Sequence, residues 1–185
     1  MKNNGLTLIE LLFALGILAI LASFSLPLFS QLYRSSAVVS EVNKLASALA
    51  FARHQAISSR HNVLLCASSN GQQCDKNWTS GYMVFRDHDN NGRFNRGDYR
   101  LNSYALSNQH IKIRWRSFRR NKPIRFLPSG ITWHNNGTFV ICFDQFDNSA
   151  RALIVNKSGR VRGSQDNNQD GINEDSRGRP LNCQW

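Results

Sequence analysis

The chain has 185 residues, of which 41% are apolar, which suffices for one membrane segment and one domain of roughly 100 to 130 residues and argues against a second domain. Its 23 Lys and Arg residues against 12 Asp and Glu give a net charge of +11. Because 17 of the basic residues are Arg, the side chain best suited to bidentate phosphate contact, the charge indicates a polyanionic partner. A generic basic surface is the alternative.

The first predicted element is a membrane-spanning helix. Residues 11–33 contain no charged side chain, and a helix of this length can cross about 30 Å of hydrocarbon. A secretory signal would have a shorter apolar region followed by a small-residue cleavage site, whereas Pro27 and Leu28 follow here. The positive charge of Lys2 favours a cytoplasmic amino terminus, so that the rest of the chain lies across the membrane.

The same helix is predicted to continue to residue 59, because apolar residues recur at three- and four-residue spacing after the span. The members of this stripe are Val38, Val42, Leu45, Leu49, Ala52 and Ala56. Charged residues lie off the stripe: Glu41, Lys44, Arg53 and Arg60. The second half of the helix is therefore expected to pack on a sheet.

The remainder predicts strands separated by glycine-containing turns. The predicted strands are 62–67, 82–86, 99–104, 111–117, 123–126, 137–143 and 150–156. Segment 163–180 is polar enough to form a mobile loop. We therefore predict an α+β fold, in which a long N-terminal helix packs on antiparallel sheets.

The four cysteines predict two disulfides, since all lie in the part placed across the membrane. They are Cys66, Cys74, Cys142 and Cys183, and three pairings are open. The favoured pairing joins Cys66 to Cys74 around a short Asn-Gly turn. Cys142 would then bond to Cys183 and pin the C-terminal tail, residues 163–185, onto a strand. A zinc site is the alternative, but the sequence has no C-x-x-C pair.

A cationic strand is predicted over residues 111–117. Ile111, Ile113 and Trp115 alternate with basic residues, the period of a half-buried strand. The basic residues of this face and of the segment that follows it are Lys112, Arg114, Arg116, Arg119, Arg120, Lys122 and Arg125. No acidic residue occurs in 111–126, so the aligned charges indicate that the face binds an anion rather than being merely solvated.

A second basic cluster is Lys157-Ser158-Gly159-Arg160-Val161-Arg162. In an extended chain Arg160 and Arg162 project from the same side about 6.5 to 7 Å apart. That spacing is close to that of successive phosphates along a nucleic-acid strand, and suits binding without base readout. The tail arginines Arg177 and Arg179 add to the field, although neighbouring acidic residues offset them.

Two loops resemble part of a calcium-binding loop, with oxygen ligands at alternate positions before a glycine. The candidate ligands of the first are Asp87, Asp89, Asn91 and Asp98. The second begins with Asp166, Asn168, Asp170 and Gly171, but Arg177 stands where a ligand is needed. The alternative is an Asx-rich turn. We expect no resident cofactor, and calcium is the candidate if there is one.

Catalytic motifs are missing from the sequence. The five histidines are scattered, and there is no G-x-S-x-G, no H-E-x-x-H and no phosphate-binding glycine loop. We therefore predict that the protein is not an enzyme.

The stretch GLTLIELLFALGILAILA resembles the amino terminus of type IV pilins and type II secretion pseudopilins. The resemblance implies that prepilin peptidase removes residues 1–5 by cleaving between Gly5 and Leu6, and that Leu6 is then N-methylated. It also implies that Glu10 pairs with the α-amino group of a neighbouring subunit during assembly. A charge in an apolar span normally has such a partner. Most family members begin with Phe, so Leu6 is a departure.

Several internal segments resemble minor pilins of the FimT/GspH type, namely ALAFARHQAISSRHNVLLC, GYMVFRDHDNNG, FLPSGITWHNNGTFVIC and ARALIVNKSGRVR. This resemblance implies a single-pass inner-membrane protein, with segment 6–33 as membrane and assembly helix. The globular domain 34–185 would lie in the periplasm, and later on the pilus or cell surface.

The Gly-Arg-x-Arg core of the second cluster also looks like the motif that DNA-uptake pilins of this branch use on DNA. The predicted function is that of a minor type IV pilin that binds extracellular double-stranded DNA, irrespective of sequence, in natural transformation. One alternative is a structural subunit of a type II secretion pseudopilus, or a pilus-assembly primer, without DNA binding. Another is a calcium-stabilised adhesion subunit.

Overall fold

The computed structural model describes residues 7–106, 108–117, 122–132 and 134–185, without the side chains of residues 24–27. The chain forms two compact units, Met1–Arg34 and Ser35–Trp185. A single helix, α1, extends over Leu8–Ser59. The strands that follow are β1 (Asn62–Ala67), β2 (Gly81–Asp87), β3 (Tyr99–Ala105), β4 (Ile111–Ser117), β5 (Ile124–Phe126), β6 (Gly137–Phe143), β7 (Phe146–Val155) and β8 (Val161–Gly163).

The first unit contains the apolar part of α1. Within the described residues, this helix alone is long and apolar enough to cross a membrane, with a mean hydropathy of 2.4 over its best 18 residues. Thr7 precedes its first turn, and its hydroxyl oxygen accepts a hydrogen bond from the Glu10 backbone N–H at 3.4 Å. The Glu10 carboxylate in turn accepts from the Thr7 backbone N–H at 3.4 Å. This reciprocal pair is a capping box, which satisfies donors that a helix start leaves free.

The second unit contains two antiparallel four-stranded sheets, with strand orders β3-β2-β1-β5 and β4-β6-β7-β8. Alternate side chains of both sheets form one core with the predicted apolar stripe of α1. The fully buried members of this stripe are Val38, Leu45, Leu49, Ala52 and Ala56. The predicted α+β architecture is therefore confirmed. Every buried apolar side chain of the described residues lies between Val38 and Cys183, so a fragment of residues 34–185 carries the whole core.

Both disulfides of the favoured pairing are present, Cys66–Cys74 and Cys142–Cys183. The first lies in a small apolar cluster on the outer face of β1 and β2. The second joins β6 to the tail, where Leu181 packs with it over the outer face of β6 and β7. Because these two disulfides use all four cysteines, no thiolate remains to bind zinc, and the zinc alternative is wrong.

The tail was predicted to be a mobile loop, but in the structure hydrogen bonds and buried side chains attach it to the domain. The Leu181 N–H donates to Asn173 O at 2.9 Å, the Cys183 N–H donates to Asp147 Oδ1 at 2.6 Å, and Glu174 is buried. The three-residue strand β8, which precedes it, was not predicted, because so short a segment with Arg and Gly carries no strand pattern. Strand β7 also begins at Phe146, four residues before its predicted start at 150.

Glu41 is a second departure, since the sequence places it off the buried stripe. It is only 8% exposed, and its carboxylate accepts a hydrogen bond from the Tyr82 hydroxyl at 3.1 Å. Lys44 lies 3.8 Å from the same carboxylate and donates to Ala105 O at 2.6 Å. Burial raises the pKa of Glu41, and Lys44 and Tyr82 partly offset this effect.

We expect Glu41→Gln to gain stability relative to the wild type as pH rises. A raised carboxyl pKa stabilises the fold while the group is protonated, and this contribution is lost as pH rises from the ordinary pKa of about 4.3 through the folded pKa. Glutamine keeps an acceptor for Tyr82 but carries no charge. Urea unfolding of residues 34–185 at pH 3.5 and 7 should therefore show a larger variant-minus-wild-type difference at pH 7.

Tyr82→Phe is the matched comparison, since it removes only the hydroxyl donor. It should lower the free energy of unfolding at pH 7 by about 1 to 3 kcal/mol, because a buried carboxylate loses its hydrogen bond. A Glu41→Gln difference that does not change with pH would contradict this account.

Candidate nucleic-acid interface

The basic motif of residues 157–162 sits on a turn that its own side chains close. The Asn156 side-chain oxygen accepts hydrogen bonds from the Arg160 backbone N–H at 2.9 Å and from the Ser158 hydroxyl at 2.8 Å. The turn is also attached to the loop after β5, because the Thr132 backbone N–H donates to Lys157 O at 3.0 Å. Lys157 and Arg160, both exposed, are therefore presented from a fixed backbone.

Gly159 is required by the packing of this turn. Its φ is +75°, and a Cβ at this position would meet the Gly130 carbonyl oxygen. The same carbonyl accepts a hydrogen bond from Arg53 Nε at 3.0 Å, which fixes it against α1. The sequence motif indicated a role for the arginines, and the structure shows why glycine precedes them.

Arg162 lies in the edge strand β8. Val161 pairs with Val155 and packs against the core, whereas Arg162 pairs with Ile154 and is exposed. Within the part of the chain that the structure describes, no carboxylate lies within ion-pairing distance of Lys157, Arg160 or Arg162. These three cations are free to meet an external anion.

The predicted cationic strand is β4, at the opposite edge of the same sheet. Its apolar residues Ile111, Ile113 and Trp115 are buried, as the alternation predicted. The register matches Arg116 to Thr138, Thr138 to Ile154 and Ile154 to Arg162. Because paired residues share a face, Arg116 and Arg162 lie on the same outer face, three strand spacings or about 14 Å apart.

The tail covers part of this outer face. Segment 111–126 itself contains no acidic residue. The Arg114 guanidinium lies 5.4 Å from the Trp185 ring centroid, a cation–π contact. Arg116 is close to Arg179 and Asp175. Burial, with Arg114 and Arg179, lowers the pKa of Arg116, while Asp175 opposes the shift. The β4 cations therefore have an acidic neighbour that segment 111–126 itself lacks, because Asp175 arrives from 59 residues along the chain.

The other predicted cations divide into three groups. Lys112 donates to Gln109 O at 2.9 Å and Lys122 is exposed, so both can still reach an anion. Arg119 and Arg120 lie outside the described residues. Arg125, which belongs to the same basic stretch, lies instead on the other sheet, and its Nη2 is 3.5 Å from the buried Asp87 carboxylate. We exclude Arg125 from the anion-binding face.

The first candidate calcium loop brings three carboxylates together. Oxygens of Asp87, Asp89 and Asp98 lie within 4.8 Å of one another. Those of Asp87 accept from the N–H groups of Asn91 at 3.1 Å and Gly92 at 2.9 Å. Burial raises the pKa of Asp87. Since N–H donors contact these oxygens, the loop has the contacts of an Asx-rich turn. The grouping of three carboxylates is also that of a cation site, and calcium binding stays a prediction.

In the second loop, Asp166 Oδ2 accepts from the Gly171 N–H at 2.9 Å, and Asp170 Oδ1 accepts from the Ile172 N–H at 2.8 Å. Arg177, at the position of the last ligand, has its N–H bonded to Asp175 Oδ1 at 2.8 Å. This loop also has the hydrogen bonds of an Asx-rich turn.

Residues 41–159 match the family model of the type II transport protein GspH, and residues 1–26 match the prokaryotic N-terminal methylation motif. The chain belongs to the GspH family. This protein is therefore a minor pilin or pseudopilin, and it associates with other pilin subunits. Pilins and pseudopilins are structural proteins, so this GspH-family chain is not an enzyme. The predicted resemblance is confirmed.

One curated relative supports the assignment, and one solved structure shares the fold. The pilin-like protein PilA1 of Thermus thermophilus is 30% identical over 88% of this chain and 99% of its own length. The crystal structure of the type IV minor pilin FimU of Pseudomonas aeruginosa superposes with a TM-score of 0.54 at 20% identity, over 80% of this chain and 95% of that one. The FimU likeness shows the fold alone.

We expect Gly159→Ala to destabilise the domain by at least about 1 kcal/mol, since a left-handed backbone costs a residue with a Cβ roughly 1 to 2 kcal/mol and the contact with Gly130 adds to this. Urea unfolding of residues 34–185 measures it. Gly163→Ala is the matched control, because nothing lies within 4 Å of a Cβ there. Equal stability of the two variants would contradict the packing role of Gly159.

Proposed function

We propose that this GspH-family protein is a minor type IV pilin that binds extracellular double-stranded DNA, without sequence readout, for DNA uptake in natural transformation. The observation that supports the proposal is the cross-strand row from Arg116 to Arg162. It gives two basic clusters, distant in sequence, a common face on one rigid sheet.

The spacing of the clusters suits a DNA backbone. The two edges of the sheet lie about 14 Å apart, and the major groove of DNA is about 12 Å wide. The two clusters can therefore contact phosphates on both sides of the groove. In an extended segment, Arg160 and Arg162 would lie about 6.5 to 7 Å apart, near the spacing of neighbouring phosphates. Contacts of this kind position a protein on DNA but do not read its sequence.

Arg160→Gln with Arg162→Gln tests the proposal. Each lost phosphate contact should lower the slope of log affinity against log salt by about one, so the double variant should lose about two and bind more weakly at low salt. Fluorescence anisotropy with duplexes of unrelated sequence, at several salt concentrations, measures both quantities. Wild-type affinities should be similar across the sequences.

Arg93→Gln with Arg96→Gln is the matched control, because it removes the same charge from exposed residues in the loop between β2 and β3. It should keep the wild-type slope. If both double variants lose affinity equally, only net charge matters and the proposed face is wrong. If the wild type does not bind DNA at low salt, the protein is a structural subunit of a pilus or a type II secretion pseudopilus.

We also propose that prepilin peptidase cleaves between Gly5 and Leu6, that Leu6 is N-methylated, and that the mature helix anchors the protein in the inner membrane with its domain in the periplasm. The match to the methylation motif supports this processing. Glu10 would pair with a neighbouring subunit's amino terminus. Its contacts with Thr7 are long, at 3.4 Å, so a cationic amine can displace them.

The intact mass of the protein isolated from its native membrane should correspond to residues 6–185 with one added methyl group. Cleavage removes Met1 to Gly5, and methylation modifies the new α-amino group of Leu6. A mass that includes Met1 rules out the proposed processing, whereas a mature mass without the methyl group rules out only the modification.

A further inference from the structure

A recess of about 310 Å³ lies where the tail meets β4 and β6. Most of the residues that line it are polar or charged. The groups that face it include Arg116, Asn136, Thr138, Ser176, Arg177 and Arg179. Three arginines, three hydroxyl residues and an asparagine therefore line a space large enough for a small anionic group.

The acidic residue of this recess is already engaged. Asp175 Oδ2 accepts from Arg179 Nε at 3.0 Å and Nη2 at 2.7 Å, and Oδ1 accepts from the backbone N–H groups of Arg177 at 2.8 Å and Arg179 at 3.2 Å. Asp175 thereby holds Arg179 in place and closes the turn. It balances one of the three guanidinium charges.

The remaining donors have no partner in the described part of the chain. No hydrogen bond or ion pair there engages the side chains of Arg116, Asn136, Thr138 or Arg177. Arg116, Arg177 and Arg179 are exposed, so water solvates their donors. Two uncompensated guanidiniums beside Arg179 nevertheless repel one another, and an anion between them would remove this repulsion.

We propose that this recess is a binding site for one phosphate group, held by Arg116, Arg177 and Arg179 and by the Thr138 and Ser176 hydroxyls. Guanidinium groups match phosphate oxygens in pairs, and charge-assisted bonds of this type are about twice as strong as neutral ones. The lowered pKa of Arg116, caused first by burial and then by Arg114 and Arg179, agrees with a surplus of positive charge.

The site depends on residues outside the segment that matches the GspH model. That match ends at residue 159, whereas Ser176, Arg177 and Arg179 come from the tail. The Cys142–Cys183 disulfide and the buried Leu181 fix this tail on the sheet. The recess therefore exists only where the tail is folded, and the family match does not account for it.

This inference does not rest on the proposed DNA binding, because its ligand is a phosphate group from either of two sources. These sources are free phosphate and a phosphate of a bound nucleic acid. The first measurement is thermal unfolding of the full chain in detergent, titrated with inorganic phosphate and with chloride at equal pH and ionic strength. Phosphate should raise the midpoint in a saturable manner that chloride does not reproduce.

Arg177→Gln is the principal variant, because its side chain has no partner in the described chain and Asp175 keeps its bonds to Arg179. It should weaken phosphate binding about tenfold or more, as the loss of a charged hydrogen bond predicts. Arg116→Gln, from the other wall of the recess, should do the same. Arg93→Gln with Arg96→Gln, outside the recess, should retain wild-type binding. Thiol titration checks that both disulfides remain formed.

The two sources are separated by a DNA titration of the same proteins. If a DNA phosphate enters the recess, inorganic phosphate competes with duplex DNA and Arg177→Gln lowers the salt slope by about one. If only free phosphate enters, the DNA titration of Arg177→Gln equals that of the wild type. Either result supports the site. Stabilisation that is the same in phosphate and chloride, or that survives in both recess variants, overturns it.

Discussion

The burial of one face of α1 against both sheets determines which faces of the two sheets are left on the outside of the domain. Leu45, Leu49 and Ala52 are fully buried, and each sheet contributes its inner side chains to the same core. Every strand must therefore place its alternate residues on an outer face. Those outer faces are where both disulfides, the basic clusters and the tail are found.

The local features of the domain followed from its sequence because their signals are periodic. The alternation of Ile111, Ile113 and Trp115 predicted β4 with its bounds, and the stripe from Val38 to Ala56 predicted the buried face of α1. Glu41 shows the limit of such patterns. Its position on the helix is compatible with solvent, and its burial depends on Lys44 and on a hydrogen bond from Tyr82, which lies 41 residues away in the chain.

The candidate site could be predicted only in pieces. Charge and spacing identified Lys112 to Lys122 and the Arg160 motif, but sheet order is a long-range property, and nothing local places β4 and β8 at opposite edges of one sheet. The same reason hid the tail's contribution. Arg177 and Arg179 lie among acidic residues in sequence, and it is the fold that directs them toward Arg116.

The tail resolves a conflict in the outer face of this sheet. The central strands place Val140, Cys142, Ala150 and Ala152 there, between two cationic edges. Without a cover, that apolar centre would be exposed to water and would be a poor surface for a polyanion. Leu181 and the disulfide to Cys183 bury it, and the segment that leads to them brings two more arginines. One covalent attachment thus protects an apolar patch and also extends the positive charge from the β4 edge toward the middle of the face.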